Sequence, residues 1–250
     1  MKKKKKTKID LYGDGIGSVE LVQSMGTDLT VVNAARVSFN VEKSVMDHKD
    51  EKLIDYLIKH KHTSTLEHNF ATFRFKVPLF VRSQHHRHRT WSYNEISRRY
   101  TESDIEFYEP KIYRTQHKSN RQASTTEEQN DPLISIYPDT KDENEAGIHL
   151  ASDTVARHHK RSLILFETLL KAGVCREQAR GVLPQNLYTQ YYGTCNLNNL
   201  LKFIELRIHM GAQWEIQEVA KACLKIAEDI WPVAVGTYRE LRGLLEMEVE

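Results

Sequence analysis

Residues Ala71–Tyr100 read A-T-F-R-F-K-V-P-L-F-V-R-S-Q-H-H-R-H-R-T-W-S-Y-N-E-I-S-R-R-Y, and two patterns meet inside them. Ala71, Phe73, Phe75, Val77, Leu79 and Val81 alternate with Thr72, Arg74 and Lys76, the period-two rhythm of a long half-buried strand interrupted only by Pro78. From Gln84 onward the chain turns cationic, with Arg87, Arg89, Arg98 and Arg99 set among His85, His86 and His88 in a protein whose formal net charge is only +2. Guanidinium groups stay charged at any working pH and present a planar fork that fits phosphate. A helix over Arg82–Thr90 would put Gln84, Arg87 and Trp91 on one face and aim Arg89 elsewhere, so that one turn serves two ligands. Glu95 and Arg99 lie four apart, the spacing that pairs across a helical turn, with the Ser97 hydroxyl between them.

Three chemistries compete for this stretch. It can be a solvated face, a floor for a phosphorylated small molecule, or a clamp in which Trp91, Tyr93 and Tyr100 stack on nucleic-acid bases between basic side chains. A net charge near zero counts against the clamp, because nucleic-acid binders usually show a broad cationic face. No metal is expected: His85, His86 and His88 contain no i, i+4 pair, and neighbouring arginines repel a cation.

Arg87, His88, Arg89, Ser92, Asn94, Glu95, Ser97, Arg99 and Tyr100 match R-H-R-x-x-S-x-N-E-x-S-x-R-Y, a pattern that resembles the signature of the flavin-dependent thymidylate synthases. Further segments resemble the same family. They are Ala34-Ala35-Arg36-Val37-Ser38, His62–His68 (H-T-S-T-L-E-H, with Thr65 where the family commonly has proline), and Gly173–Pro184 (G-V-x-R-E-x-A-R-x-x-L-P). The last is Asn196–Arg207 (N-x-x-x-L-x-x-F-x-x-L-R) followed by Ala212-Gln213-Trp214-Glu215-Ile216. Together they cover roughly residues 30–232.

The rest of the chain bounds the reading. At 250 residues one domain is the simplest count, with a loop or polar insertion at about 115–142, where Ser119–Asp131 holds almost no apolar residue. No run of about eighteen apolar residues exists to span a membrane, and the five lysines after Met1 have no apolar stretch behind them. Cys175, Cys195 and Cys223, without close spacing, suit a reducing cytoplasm, whether the chain's own or a host's for a viral protein.

In order, Ile9–Tyr12 reads as a short strand and Gly13–Gly17 as a turn, since Ser18 stands where a dinucleotide fingerprint needs its third glycine. Leu29–Val32 reads as a strand, and Asp50–His60 as a helix with Leu53, Ile54, Leu57 and Ile58 on one face. Glu143–Ala172 reads as a long helix stopped by Gly173, Asn186–Thr194 as a strand, and Asn196–His209 and Ile216–Ile230 as amphipathic helices, the last ended by Trp231-Pro232. The fold class expected is α+β, a mixed sheet flanked by long helices without a Rossmann unit.

What the resemblance implies is more specific. It implies reductive methylation of dUMP to dTMP, with 5,10-methylenetetrahydrofolate as carbon donor, NADPH as reductant and FAD delivering the hydride, without a cysteine nucleophile on the pyrimidine. Gln84, His85, His86, Arg87, Glu95, Ser97, Arg98, Arg99, Arg180 and Arg207 would hold dUMP, and Arg207 would also serve catalysis by stabilising an N3-deprotonated ring. His62, Ser64, Arg87, His88, Arg89, Glu95, Asn196, Asn198 and Lys202 would contact FAD, with Glu67 a further contact. Asn198 and Lys202 depart from the arginine and the asparagine or histidine frequent in the family. A homotetramer with shared active sites is implied in the same way.

Overall fold

The computed structural model describes residues 7–101, 104–121, 123–135 and 147–244. The N-terminal lysines, residues 122 and 136–142 of the expected polar loop, and residues 143–146 of the expected long helix lie outside the described residues. Strand β1 (Lys8–Asp10) runs into a turn in which Asp14 Oδ1 accepts from the Ile16 and Gly17 N–H groups at 2.8 and 3.0 Å, the turn expected there. Strand β2 (Ser18–Met25) was not expected; a register shift between Leu21 and Gln23 breaks the alternation that would announce it.

Leu29–Val32 is helical, correcting the strand expectation. Helix α1 (Asp28–Arg36) starts where the Thr27 N–H donates to Thr30 Oγ1 at 3.0 Å, and the β-branched Val31 and Val32 are there because they are fully buried. Helix α2 (His48–Lys59) matches expectation, with Asp47 accepting from the Lys49 and Asp50 N–H groups at its start. After a 3₁₀ stretch over Thr63–His68 comes strand β3 (Phe70–Pro78). Leu79 and Val81 do not continue it: Pro78 ends the strand and helix α3 (Leu79–His85) begins. Strand β4 (Ser92–Glu95) follows.

Part of the expected polar loop is ordered as a hairpin, β5 (Tyr113–Gln116) against β6 (Ser124–Asn130), and β7 (Leu133–Ile134) pairs with β8 (His149–Leu150). Helix α4 (Ala151–Lys171) starts later than expected, because β8 occupies the residues before it and Asp131 Oδ1 caps it by accepting from the Ser152 N–H at 2.9 Å. Gly173, at φ +85°, takes the left-handed conformation that stops α4. Helix α5 (Arg176–Ala179) and strand β9 (Tyr188–Asn196) lead to helix α6 (Leu197–Ile208), whose N-cap Asn196 accepts from the Asn199 N–H at 2.9 Å. Helix α7 (Trp214–Ile230) ends as expected, but Pro232 opens a further helix, α8 (Pro232–Leu241), from the position where a missing N–H loses nothing.

The sheet order is β1-β2-β3-β9-β4, giving the expected α+β class. The described chain divides into two compact units: residues 7–77, Val81–Glu95 and 190–244 form one, and Pro78–Phe80 with the described part of Ile96–Thr189 the other. In the first, the apolar faces of α6 and α7 are buried, and fully buried Asn69 pins the core by accepting from Trp231 Nε1 at 3.0 Å and from the Leu197 N–H at 2.9 Å. In the second, Phe166, Ala179, Leu183 and Leu187 are buried together. Among the described residues no helix is long and apolar enough to cross a membrane.

Candidate active site

The cationic stretch leaves the helix earlier than its sequence suggests. After His85 the chain descends through successive tight turns, with the Arg87 N–H on Gln84 O and the His88 N–H on His85 O at 3.3 and 2.9 Å. The Tyr93 hydroxyl reaches back from β4 to His85 O and His88 O at 2.9 and 3.1 Å and ties the turn down. The helical face expected to join Gln84, Arg87 and Trp91 is therefore absent. Trp91 instead lies in an aromatic cluster with Phe73, Phe75 and Phe203. Gly193 admits that cluster, because a Cβ there would sit 2.9 Å from Phe75 Cε2.

His85 is the centre of this cluster and is fully buried. Its ring meets Phe75 and Trp91 edge-on at centroid distances of 4.7 and 4.6 Å, and its Nδ1 lies 2.8 Å from the Tyr191 hydroxyl. Burial above all, with His88, His86 and the Arg207 guanidinium close by to disfavour a further positive charge, pushes its pKa well down, so it stays neutral. The His86 ring packs tilted against Tyr93 at a centroid distance of 4.1 Å, and its pKa is also shifted down, mainly by burial.

Above this floor the first unit brings together three residues expected to serve the ligands. Arg207, in the last turn of α6, donates Nε–H to His88 Nε2 at 3.0 Å and Nη2–H to Gln84 O at 3.4 Å. The Gln84 side chain is held by Gln213. As acceptor, His88 must be neutral with its proton on Nδ1; burial and then the Arg207 charge lower its pKa to about 4. Arg207 Nη1 has no protein partner among the described residues. Arg87 and Arg89 are exposed. Glu95 is on a strand, so the expected helical pairing with Arg99 does not form; its Oε1 lies 3.2 Å from Arg82 Nε.

A recess lies in the same unit. Ala34, Ala35 and Ser38 form one wall, and Leu57, Lys61 and residues His62–Thr65 the other, around an open cleft of about 500 Å³. Buried Asp50 holds Arg36, the chain neighbour of Ala35 in the first wall, accepting from Arg36 Nη2 at 2.7 Å and binding Lys43 Nζ. Thr65, where proline is frequent in the family resembled, fixes the loop by donating its hydroxyl to His62 O at 3.2 Å. His62 and Ser64 line the cleft, and Glu67 Oε1 accepts from Asn198 Nδ2 at 2.9 Å. Of the α6 residues expected at FAD, Asn198 is thus buried on Glu67 and Asn196 is engaged as the helix cap, whereas Lys202 is exposed.

Ser97, Arg98, Arg99 and Arg180 belong to the second unit. Arg98 is buried and donates to Asp104 O at 3.0 Å, while Arg99 is exposed and lies over the Tyr100 ring at 5.5 Å. Arg180 is exposed at the start of a 3₁₀ turn. Sequence reasoning passed over Lys61 and Asp50: the one looks like a helix-end lysine and the other like a first-turn carboxylate, and only the contacts separate them from their neighbours.

A family model described as thymidylate synthase complementing protein matches residues 20–233. The chain belongs to this family, that of the flavin-dependent thymidylate synthases. It is 38% identical over 248 aligned residues to the flavin-dependent thymidylate synthase of Thermus thermophilus, covering 93% of this chain and 85% of the relative. Identity to the flavin-dependent thymidylate synthase of Thermotoga neapolitana is 41% over 216 residues, covering 86% and 88% of the two chains. Among solved structures, a UMP/dUMP methylase PolB from Streptomyces cacaoi bound with 5-Br UMP is similar with a TM-score of 0.74 at 32% identity, over 93% of this chain and 96% of that one.

Proposed function

We propose that this protein converts dUMP to dTMP, taking a methylene unit from methylenetetrahydrofolate and reducing equivalents from NADPH through bound FAD. Reduced flavin supplies the hydride that turns the transferred methylene into a methyl group. The observation that carries the reading is Arg207, a guanidinium oriented by a neutral histidine acceptor and left with one amino group open for a ligand.

The residues present fit a flavin nucleotide. The cleft offers small walls at Ala34 and Ala35, hydroxyls at Ser38 and Ser64, and a cation at Lys61, which suits a planar ring system joined to phosphates. His62, Ser64, Arg87, His88, Arg89, Glu95, Asn196, Asn198 and Lys202 are the flavin-side residues of this proposal, with Asn198 and Asn196 acting through Glu67 and the helix cap. Gln84, His86, Arg87, Glu95, Ser97, Arg98, Arg99 and Arg180 are the dUMP-side residues, the exposed arginines serving its phosphate by charge-assisted hydrogen bonds. His85 contributes from beneath, by fixing the turn that carries Arg87 and His88.

Arg207 polarises the uracil and stabilises negative charge as its N3 proton is lost, which raises the nucleophilicity of C5 without a covalent adduct. Supporting that route, Cys195 is buried and its thiol is pushed well up by burial and then by Cys223, so it does not supply a thiolate. A homotetramer with shared sites belongs to the same proposal. The test is NADPH oxidation by the purified, flavin-loaded protein. It should depend on added dUMP, and oxidation indifferent to dUMP would remove the proposal.

A further inference from the structure

Helix α2 ends in an arrangement that ordinarily belongs to glycine. The His62 N–H reaches Leu57 O at 2.8 Å and the Lys61 N–H reaches Ile58 O at 3.1 Å, the paired bonds of a Schellman cap. The residue between helix and loop must then be left-handed, and Lys61 has φ +59°. A side chain is disfavoured in this conformation relative to glycine. Tyr12, Asn40 and Asp104 are the other non-glycine residues with positive φ among the described residues, and none of them lines the cleft. Lys61 does, and its ammonium has no protein partner among the described residues.

The electrostatics of the position explain why a cation would be kept there. The cleft lies against the C-terminus of α2, where Leu57 and Lys61 line it, the negative end of the helix dipole, which repels an anion. Glycine at residue 61 would relieve the backbone and leave that field unopposed. Lysine reverses the local sign next to the hydroxyls of Ser38 and Ser64. We infer that Lys61 holds a phosphate oxygen of the flavin nucleotide in this cleft, an inference that rests on the functional reading above.

The test is a titration of the full chain, stripped of flavin, with FAD and with riboflavin, which has no phosphate, for wild type, Lys61→Gly and Lys61→Arg. Lys61→Gly should fold with an unchanged or higher melting temperature, because glycine suits the cap. Its Kd for FAD should rise roughly tenfold, the loss of one charge-assisted hydrogen bond, while its riboflavin affinity stays at the wild-type value and Lys61→Arg keeps most of the FAD affinity. Wild-type FAD affinity in Lys61→Gly, or an equal loss for riboflavin, would overturn the inference and leave the functional reading standing. A change confined to the NADPH KM would assign the phosphate to another ligand and overturn it likewise. Wild-type protein that binds no FAD at all would remove both.

Discussion

Arg207 and His88, 119 positions apart in the chain, meet through an Nε–H···Nε2 hydrogen bond of 3.0 Å. The bond holds a guanidinium still and at the same time fixes which imidazole nitrogen carries the proton. Replacing Arg207 by alanine removes the group proposed to stabilise charge on the pyrimidine and leaves the α2 cleft untouched. The turnover number for dUMP methylation should fall at least about 100-fold while flavin absorbance is retained. Unchanged turnover would take Arg207 out of the chemistry.

Stability should depend on pH through the buried imidazoles. His85, His86 and His88 are all lowered, chiefly by burial, with His88 at about 4 against an ordinary 6.5. Between these values the unfolded chain takes up a proton that the fold refuses. The stabilisation is therefore fully present above 6.5 and declines as pH falls toward about 4. The slope is up to about 1.4 kcal/mol per pH unit for each proton withheld. Urea midpoints compared at about pH 8 and about pH 5 check this, and a flat profile would mean that the cluster accommodates charge.

Cys195→Ala should keep most of the dUMP methylation rate, within about threefold, because a buried thiol with a raised pKa is structural. The variant should lose about 1 kcal/mol of stability from the small cavity it leaves. Loss of turnover in a folded, flavin-loaded Cys195→Ala protein would restore the thiol as nucleophile.

Asp50→Asn should weaken the cleft through Arg36, which follows the cleft residue Ala35. Burial alone would raise the Asp50 pKa, but hydrogen bonds from Lys43, the Asp47 backbone and Arg36 outweigh it and hold the group at about 2. The carboxylate's contribution is thus present above its ordinary 3.8 and lost as pH drops toward about 2. Removing its charge should cost about 2 kcal/mol in urea unfolding and raise the FAD Kd several-fold, since Arg36 and Lys43 lose their shared partner. Unchanged values for both would show that Ala34, Ala35 and Ser38 are positioned by other contacts.

How far the sequence discloses this protein follows from which signals are local. Helices α2, α6 and α7 are legible because their apolar residues recur at helical spacing and are buried as that spacing requires, Leu57 and Ile204 among them. Leu29–Val32 misleads because its β-branched residues favour a strand locally, and only burial in the finished core makes a helix of them. The residues after His85 mislead differently: no glycine or proline marks the end of α3, and what ends it is Tyr93 reaching back to two carbonyls. Family motifs point to Arg207 and His88 singly, yet their hydrogen bond is invisible to spacing, as is the role of His85 beneath them.

The proposed activity, methylation of dUMP by this chain with bound flavin, can be read from its product. The most direct measurement is chromatographic detection of product after purified, flavin-loaded protein is incubated without oxygen with dUMP, methylenetetrahydrofolate and NADPH. dTMP should accumulate only when all three are present. A folded, flavin-loaded protein that makes none, or a colourless one that instead binds nucleic acid with an affinity collapsing as salt rises, would contradict it.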